Sequence, residues 1–148
     1  MAKFVYRMQS ILNIKEKLED QARNNFSQAR MRLDEENEKL ETLKRRKEEY
    51  REEGRKIRKD SLDVLKLQEN ETALKRMDEY IAVQKEEVAK AEKALERARE
   101  KLTEAMKESK IQNRLKEKAF EQFKKDLLAE EAKEIDELTS FTHGRKKE

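Results

Sequence analysis

Apolar residues recur along this chain at alternating steps of three and four, the spacing that lines one face of an α-helix against a partner helix. In the first half, Ala22, Phe26, Ala29, Leu33, Leu40, Leu43, Tyr50 and Ile57 hold a single heptad register, which also places Glu36, Lys47 and Gly54 on the seam. Upstream, Met8, Ile11 and Leu18 follow their own heptad, joined to the next block by two consecutive four-residue steps (Leu18, Ala22, Phe26). Such a stutter predicts a local unwinding of the supercoil. In the second half, Leu74, Met77, Ile81, Gln84, Val88, Ala91, Leu95, Ala98, Leu102 and Ala105 alternate with only Gln84 polar. The seam then weakens through Ser109 and Gln112 and resumes as Leu115, Ala119, Phe123 and Leu127, flanked by Phe120 and Leu128.

Between the two runs, RKIRKDSLDVLKLQENETA keeps no register. Gly54 weakens a helix by roughly 1 kcal/mol relative to Ala, and Ser61 can cap a new turn before Leu62 to Leu67. The pattern therefore predicts an all-α fold: a long antiparallel two-helix coiled coil, or α-hairpin, forming a single domain over 1–148. Helix 1 is expected over about 3–56, an irregular connection with a short helix over about 57–72, helix 2 over about 73–141, and a flexible tail over 142–148. A reversal near residues 65–66 makes the numbers of facing residues total about 131, which sets Met8 against Phe123 and Phe4 against Leu127. The stutter then lies level with the weak stretch around Ser109. Arms of this length extend roughly 75–80 Å. Residues beyond about 130 find no partner on helix 1, so helix 2 should overhang by two to three turns. Ile135, Leu138 and Phe141 on that overhang are apolar and uncovered, which favours docking to another protein over a solvated helix.

Composition agrees with this reading. Of 148 residues 48% are charged and 34% hydrophobic, with two glycines and no proline, and the net charge is only +3. A balanced charge with heptad order points to long helices where high net charge and proline would point to disorder. Without cysteine the chain has no disulfide, thiolate zinc site or cysteine nucleophile. No apolar run approaches the roughly 18 residues of a membrane span. The start carries Lys3, Arg7 and Lys15 before any acid, as a presequence does, but the apolar spacing runs on past it.

Chemistry-bearing motifs are few. The glycines Gly54 and Gly144 make no phosphate loop, and the single histidine, His143, lies in the terminal FTHGRKKE. Carboxylates alternate with bases on helix faces, as in Glu86, Glu87, Lys90, Glu92 and Lys93, where i,i+4 pairing contributes about 0.2–0.5 kcal/mol each. These features disfavour an enzyme and imply no cofactor, metal or small-molecule ligand. The basic stretch LKRRKEEYREEGRKIRK is interleaved with Glu48, Glu49, Glu52 and Glu53, which breaks up a phosphate-tracking stripe. A nucleic-acid-binding coiled coil or a homodimeric filament protein is the alternative class.

The opening FVYRMQSILNIKEKLEDQA, the central LETLKRRKEEYRE and the late FEQFKKDLLAEEAKEIDEL resemble the flagellar export protein FliJ family. The resemblance rests on Phe4, Tyr6, Arg7, Gln9, Ile11, Leu12 and Lys15; on Leu40, Leu43 and Tyr50; and on Ile135, Asp136 and Glu137. It implies a cytoplasmic, non-enzymatic stalk of the type III export apparatus, peripherally associated with the membrane at the flagellar base and thereby serving motility. Its implied partners are the hexameric export ATPase, the cytoplasmic domain of the export gate, and export chaperones. Leu43, Tyr50, Met77, Tyr80 and Gln84 fall at the positions of the gate-binding surface, with Ala73 where a ring is expected. Tyr6, Arg7, Ile135, Asp136, Glu137 and Leu138 are the corresponding candidates for docking into the ATPase ring. Leu43, Tyr50 and Met77 also fit as plain seam residues. The stalk subunits of virulence secretion systems and of rotary ATPases share this architecture, although the latter normally carry a larger insertion between their helices.

Overall fold

The computed structural model describes residues 2–60 and 63–146. It contains two helices, α1 (Gln9–Asp60) and α2 (Val64–Lys146), packed against each other as an all-α hairpin, with no strand among the described residues. The chain divides into two compact units, one of Met1–Asp20 with Glu104–Glu148 and one of Gln21–Thr103.

The helix boundaries differ from the expected ones in three places. Residues 2–6 are not helical: they form an extended strap closed by a turn at Arg7 and Met8, where the Gln9 amide donates to the Tyr6 carbonyl at 3.1 Å. The connection is far shorter than 57–72, because both helices run nearly up to it. Asp63 begins α2 as its cap, its carboxylate accepting from the Lys66 amide at 3.3 Å and its carbonyl from the Leu67 amide at 3.1 Å. Arg58 and Lys59 sit in the last turn of α1, where cations favour the carbonyl end of the dipole. Ser61, the expected cap, lies outside the described residues. At the other end α2 continues through the expected tail to Lys146.

Gly54 does not break α1, and the reason is a close approach. Asn70 of α2 lies over it, and a Cβ at Gly54 would come within 2.6 Å of Asn70 Oδ1. The Asn70 amide donates to the Tyr50 carbonyl at 2.8 Å, so both residues are buried in a satisfied contact.

The expected stutter is absent. From Leu12 onward the covered positions of α1 are 12, 15, 19, 22, 26, 29, 33, 36, 40, 43, 47, 50, 54 and 57, an unbroken three-four alternation. Lys15 and Glu19 occupy it where Leu18, 45% exposed, had been expected. On α2 Lys116, not Leu115, continues the alternation after Ser109 and Gln112, and Leu115 is 44% exposed. Geometry therefore overrides hydrophobicity here. Two wound helices present a strict heptad to each other, and the apolar side chains that depart from it turn outward.

The pairing register differs as well. In the unit of Gln21–Thr103, Glu36 meets Gln84, Lys47 meets Asp78 and Tyr50 meets Asn70. In the unit of the chain ends, Phe4 meets Phe120 and Phe123, and Lys15 meets Glu108. Facing residue numbers thus total 120–127, about one heptad below the expected 131. Phe4 packs on Phe120 and Phe123 instead of Leu127, and Met8 is 40% exposed. The cause is the reversal itself, which falls between Asp60 and Val64. The overhang lengthens accordingly: residues 128–144 are all exposed, about five helical turns.

Candidate protein-interaction surfaces

In the unit of Gln21–Thr103 the apolar core consists of Met77, Ile81, Val88 and Ala91. Buried beside it is Glu36, 3% exposed. Gln84 Nε2 donates to the Glu36 carboxylate at 2.6 Å and to its carbonyl at 2.9 Å, while Arg32 Nε and Lys39 Nζ approach the other carboxylate oxygen at 3.1 and 3.6 Å. The Gln84 hydrogen bond, aided by Lys39 and Arg32 and opposed by burial, holds the Glu36 carboxyl below its ordinary value of 4.5.

The gate-contact candidates are dispersed over this unit. Met77 is buried at 7% exposure, and Gln84 is committed to Glu36. Leu43 and Gln84 line an open hollow of about 500 Å³ together with Glu35, Glu38, Lys39 and Thr42. Tyr50 lines a separate hollow of about 390 Å³ with Ile57, Asn70 and Ala73. Tyr80 stands apart, 53% exposed, and Val83 lies beside it on the same helix face at 59%. Val83 escapes a seam-based reading because it stands one residue before the Gln84 seam position. Val64 and Leu65, both exposed, add apolar surface at the start of α2.

In the unit of the chain ends, Phe4 packs edge-on to Phe120 with ring centroids 5.1 Å apart and lies 5.5 Å from Phe123. Lys124 Nζ covers the Phe120 ring at 4.6 Å. Tyr6, a ring-docking candidate, is half-buried, and its hydroxyl is buried with no partner among the described residues. Arg7 beside it is exposed. Ile135, Asp136, Glu137 and Leu138 all lie on the exposed overhang, Ile135 and Leu138 being 62% and 65% exposed.

Other chemistries find little support. Three bases of the 44–55 stretch pair locally, Lys44 with Glu41, Arg51 with Glu48 and Arg55 with Glu52, and Lys47 pairs with Asp78 of α2. Among the described residues no cluster of three or more acidic or histidine side chains could hold a metal ion. No helix among them is long and apolar enough to cross a membrane.

The flagellar FliJ protein family matches residues 4–148, nearly the whole chain. The chain belongs to that family. A solved structure from Chlamydia trachomatis, CT670, described as a YscO homologue, is similar with a TM-score of 0.76 at 25% identity, over 98% of each chain. No curated protein matches the chain. Membership of the FliJ family, with a YscO-like hairpin, makes this a protein associated with type III export. Exposed apolar side chains occur in both units, Tyr80 and Val83 in one and Ile135 and Leu138 in the other.

Proposed function

We propose that the chain is a non-enzymatic stalk of the flagellar type III export apparatus. The unit holding both chain ends docks into the hexameric export ATPase, and the unit holding the reversal contacts the cytoplasmic domain of the export gate. The observation that carries this reading is the overhang: residues 128–144 are helical and exposed throughout, with Ile135 and Leu138 62% and 65% exposed. An isolated helix that long is marginal in water unless an amphipathic face packs on something. Arg7, Ile135, Asp136, Glu137 and Leu138 are the ring-docking residues, with Tyr6 supporting the strap from inside. On the gate side Tyr80, Leu43 and Tyr50 supply contacts, whereas Met77 and Gln84 hold the helices that present them.

The test mixes the chain with purified export ATPase and follows hexamer formation by sedimentation and turnover by phosphate release. The full chain should raise both, and a chain ending at Leu127 should raise neither while keeping its helicity. Equal stimulation by the two chains would overturn the reading.

A further inference from the structure

The unit of the chain ends spends its apolar side chains in an unusual way. Over residues 12–19 and 109–116 the covered seam positions hold Lys15, Glu19, Ser109, Gln112 and Lys116 beside Leu12, which is fully buried. Gln112 Oε1 is buried with no partner among the described residues. The aliphatic residues stand one position earlier: Ile11, Ile14 and Leu18 on α1, Ile111 and Leu115 on α2, between 39% and 57% exposed.

Those two stripes lie on one side of the pair. In an antiparallel pair, positions that precede the seam residues by one on both helices flank the same side. The register set by Lys15 with Glu108 and Phe4 with Phe120 puts Ile11 level with Leu115, and Ile14 level with Ile111. The result is a shallow aliphatic groove with knobs at three-four spacing along both walls, which is the receiving surface a third helix needs. Around it stand Lys17, Lys107, Arg114 and Lys118, each within one helical turn of a groove residue, against Glu104 and Glu121. Glu108 is already matched by Lys15 at 2.8 Å.

We propose that this groove receives an amphipathic helix with acidic flanks from another protein, converting the pair into a three-helix bundle at residues 7–18 and 107–118. Charge complementarity selects the occupant: a basic rim around an aliphatic floor steers and orients an acidic helix and repels a basic one. A helix suits the groove better than a lipid surface, because the groove is narrow and bounded by two parallel rows of aliphatic knobs. This docking is separate from the ring contact made by the overhang, and it is tested without the ATPase.

The probe is a fluorescein-labelled synthetic 21-residue peptide of Leu and Glu with Leu at alternating three- and four-residue steps, beside a twin with every Glu replaced by Lys. Anisotropy with the full-length chain should show the acidic peptide binding at least ten-fold tighter than its basic twin, and weakening as salt rises. Ile14→Glu with Leu115→Glu should abolish binding without changing the circular dichroism melt, since both side chains are exposed. Lys17→Glu with Arg114→Glu, which leaves the floor intact, should reverse the preference between the peptides. Equal binding of the two peptides, or undiminished binding by the Ile14/Leu115 variant, would overturn the proposal. So would floor-dependent co-sedimentation of the chain with phosphatidylserine vesicles, which makes the occupant a membrane. Concentration-dependent self-association competed by a peptide of residues 128–144 would equally overturn it, by making the occupant a second copy.

Discussion

Gly54 and Asn70 form the most demanding contact in the unit of Gln21–Thr103, since one side chain fills the space where the other residue has none. Ala at position 54 would improve helix propensity by roughly 1 kcal/mol, yet the clash with Asn70 Oδ1 should outweigh it, destabilising by about 1–3 kcal/mol. Urea unfolding of Gly54→Ala should show that loss, and the same substitution in an Asn70→Ala background should be neutral or stabilising. A loss of equal size in both backgrounds would place the effect elsewhere. Glu36 gives a residue-scale effect of pH. Its carboxyl titrates below the ordinary value of 4.5, so its contribution is present above that value and disappears as pH falls through the folded-state one. Thermal midpoints of the native chain should therefore fall more steeply into acid than those of Glu36→Gln. Parallel acid limbs would show that Glu36 contributes nothing to the pH dependence. Neither contact was legible in the heptads, which placed Glu36 and Gly54 on the seam without indicating what covers them.

At the scale of the elements, the two helices were legible and their ends were not. Periodicity needs several turns to declare itself, whereas an end is decided by one side chain: Asp63 caps α2, and the strap at residues 2–6 is pinned by Phe4. Asp63→Ala should cost about 1 kcal/mol in chemical unfolding. Pairing register is the other property of this scale. Lys15→Cys with Glu108→Cys should form a disulfide in air, and Lys15→Cys with Lys116→Cys should not, because eight residues of helix separate the two α2 positions by about 12 Å along the axis. The reverse result, read on a non-reducing gel, would restore the register offset by a heptad. Hydrophobic order cannot tell the two registers apart, as a seven-residue shift returns every seam position to another seam position. Glu36 with Gln84 and Gly54 with Asn70 do distinguish them, since a shift would strand a buried carboxylate and close Gly54 against a different side chain.

For the molecule as a whole, packing and interaction fall on different residues. A chain ending at Leu127 should melt within a few degrees of the full one, because residues 128–144 are exposed throughout. Phe4→Ala, by contrast, should lower stability by about 1–2 kcal/mol, since its ring holds the strap to two others on α2. A truncated chain that melts far lower, or a Phe4→Ala chain that melts unchanged, would contradict this division. Both can be followed by circular dichroism.

Composition and a period of seven were enough to determine that this chain makes two long antiparallel helices, and its short motifs carry the resemblance to a flagellar export family. These are properties of local repetition and of residue type, and they survive any small shift in pairing. Which residues face each other, where the helices turn, and which aliphatic side chains are left outside were decided only by tertiary structure. Supercoiling favours a three-four alternation on the faces two helices turn to each other, and a few polar contacts select one register among equivalents. That selection leaves Ile11, Ile14, Leu18, Ile111 and Leu115 at the surface while lysine, glutamate and glutamine take the seam.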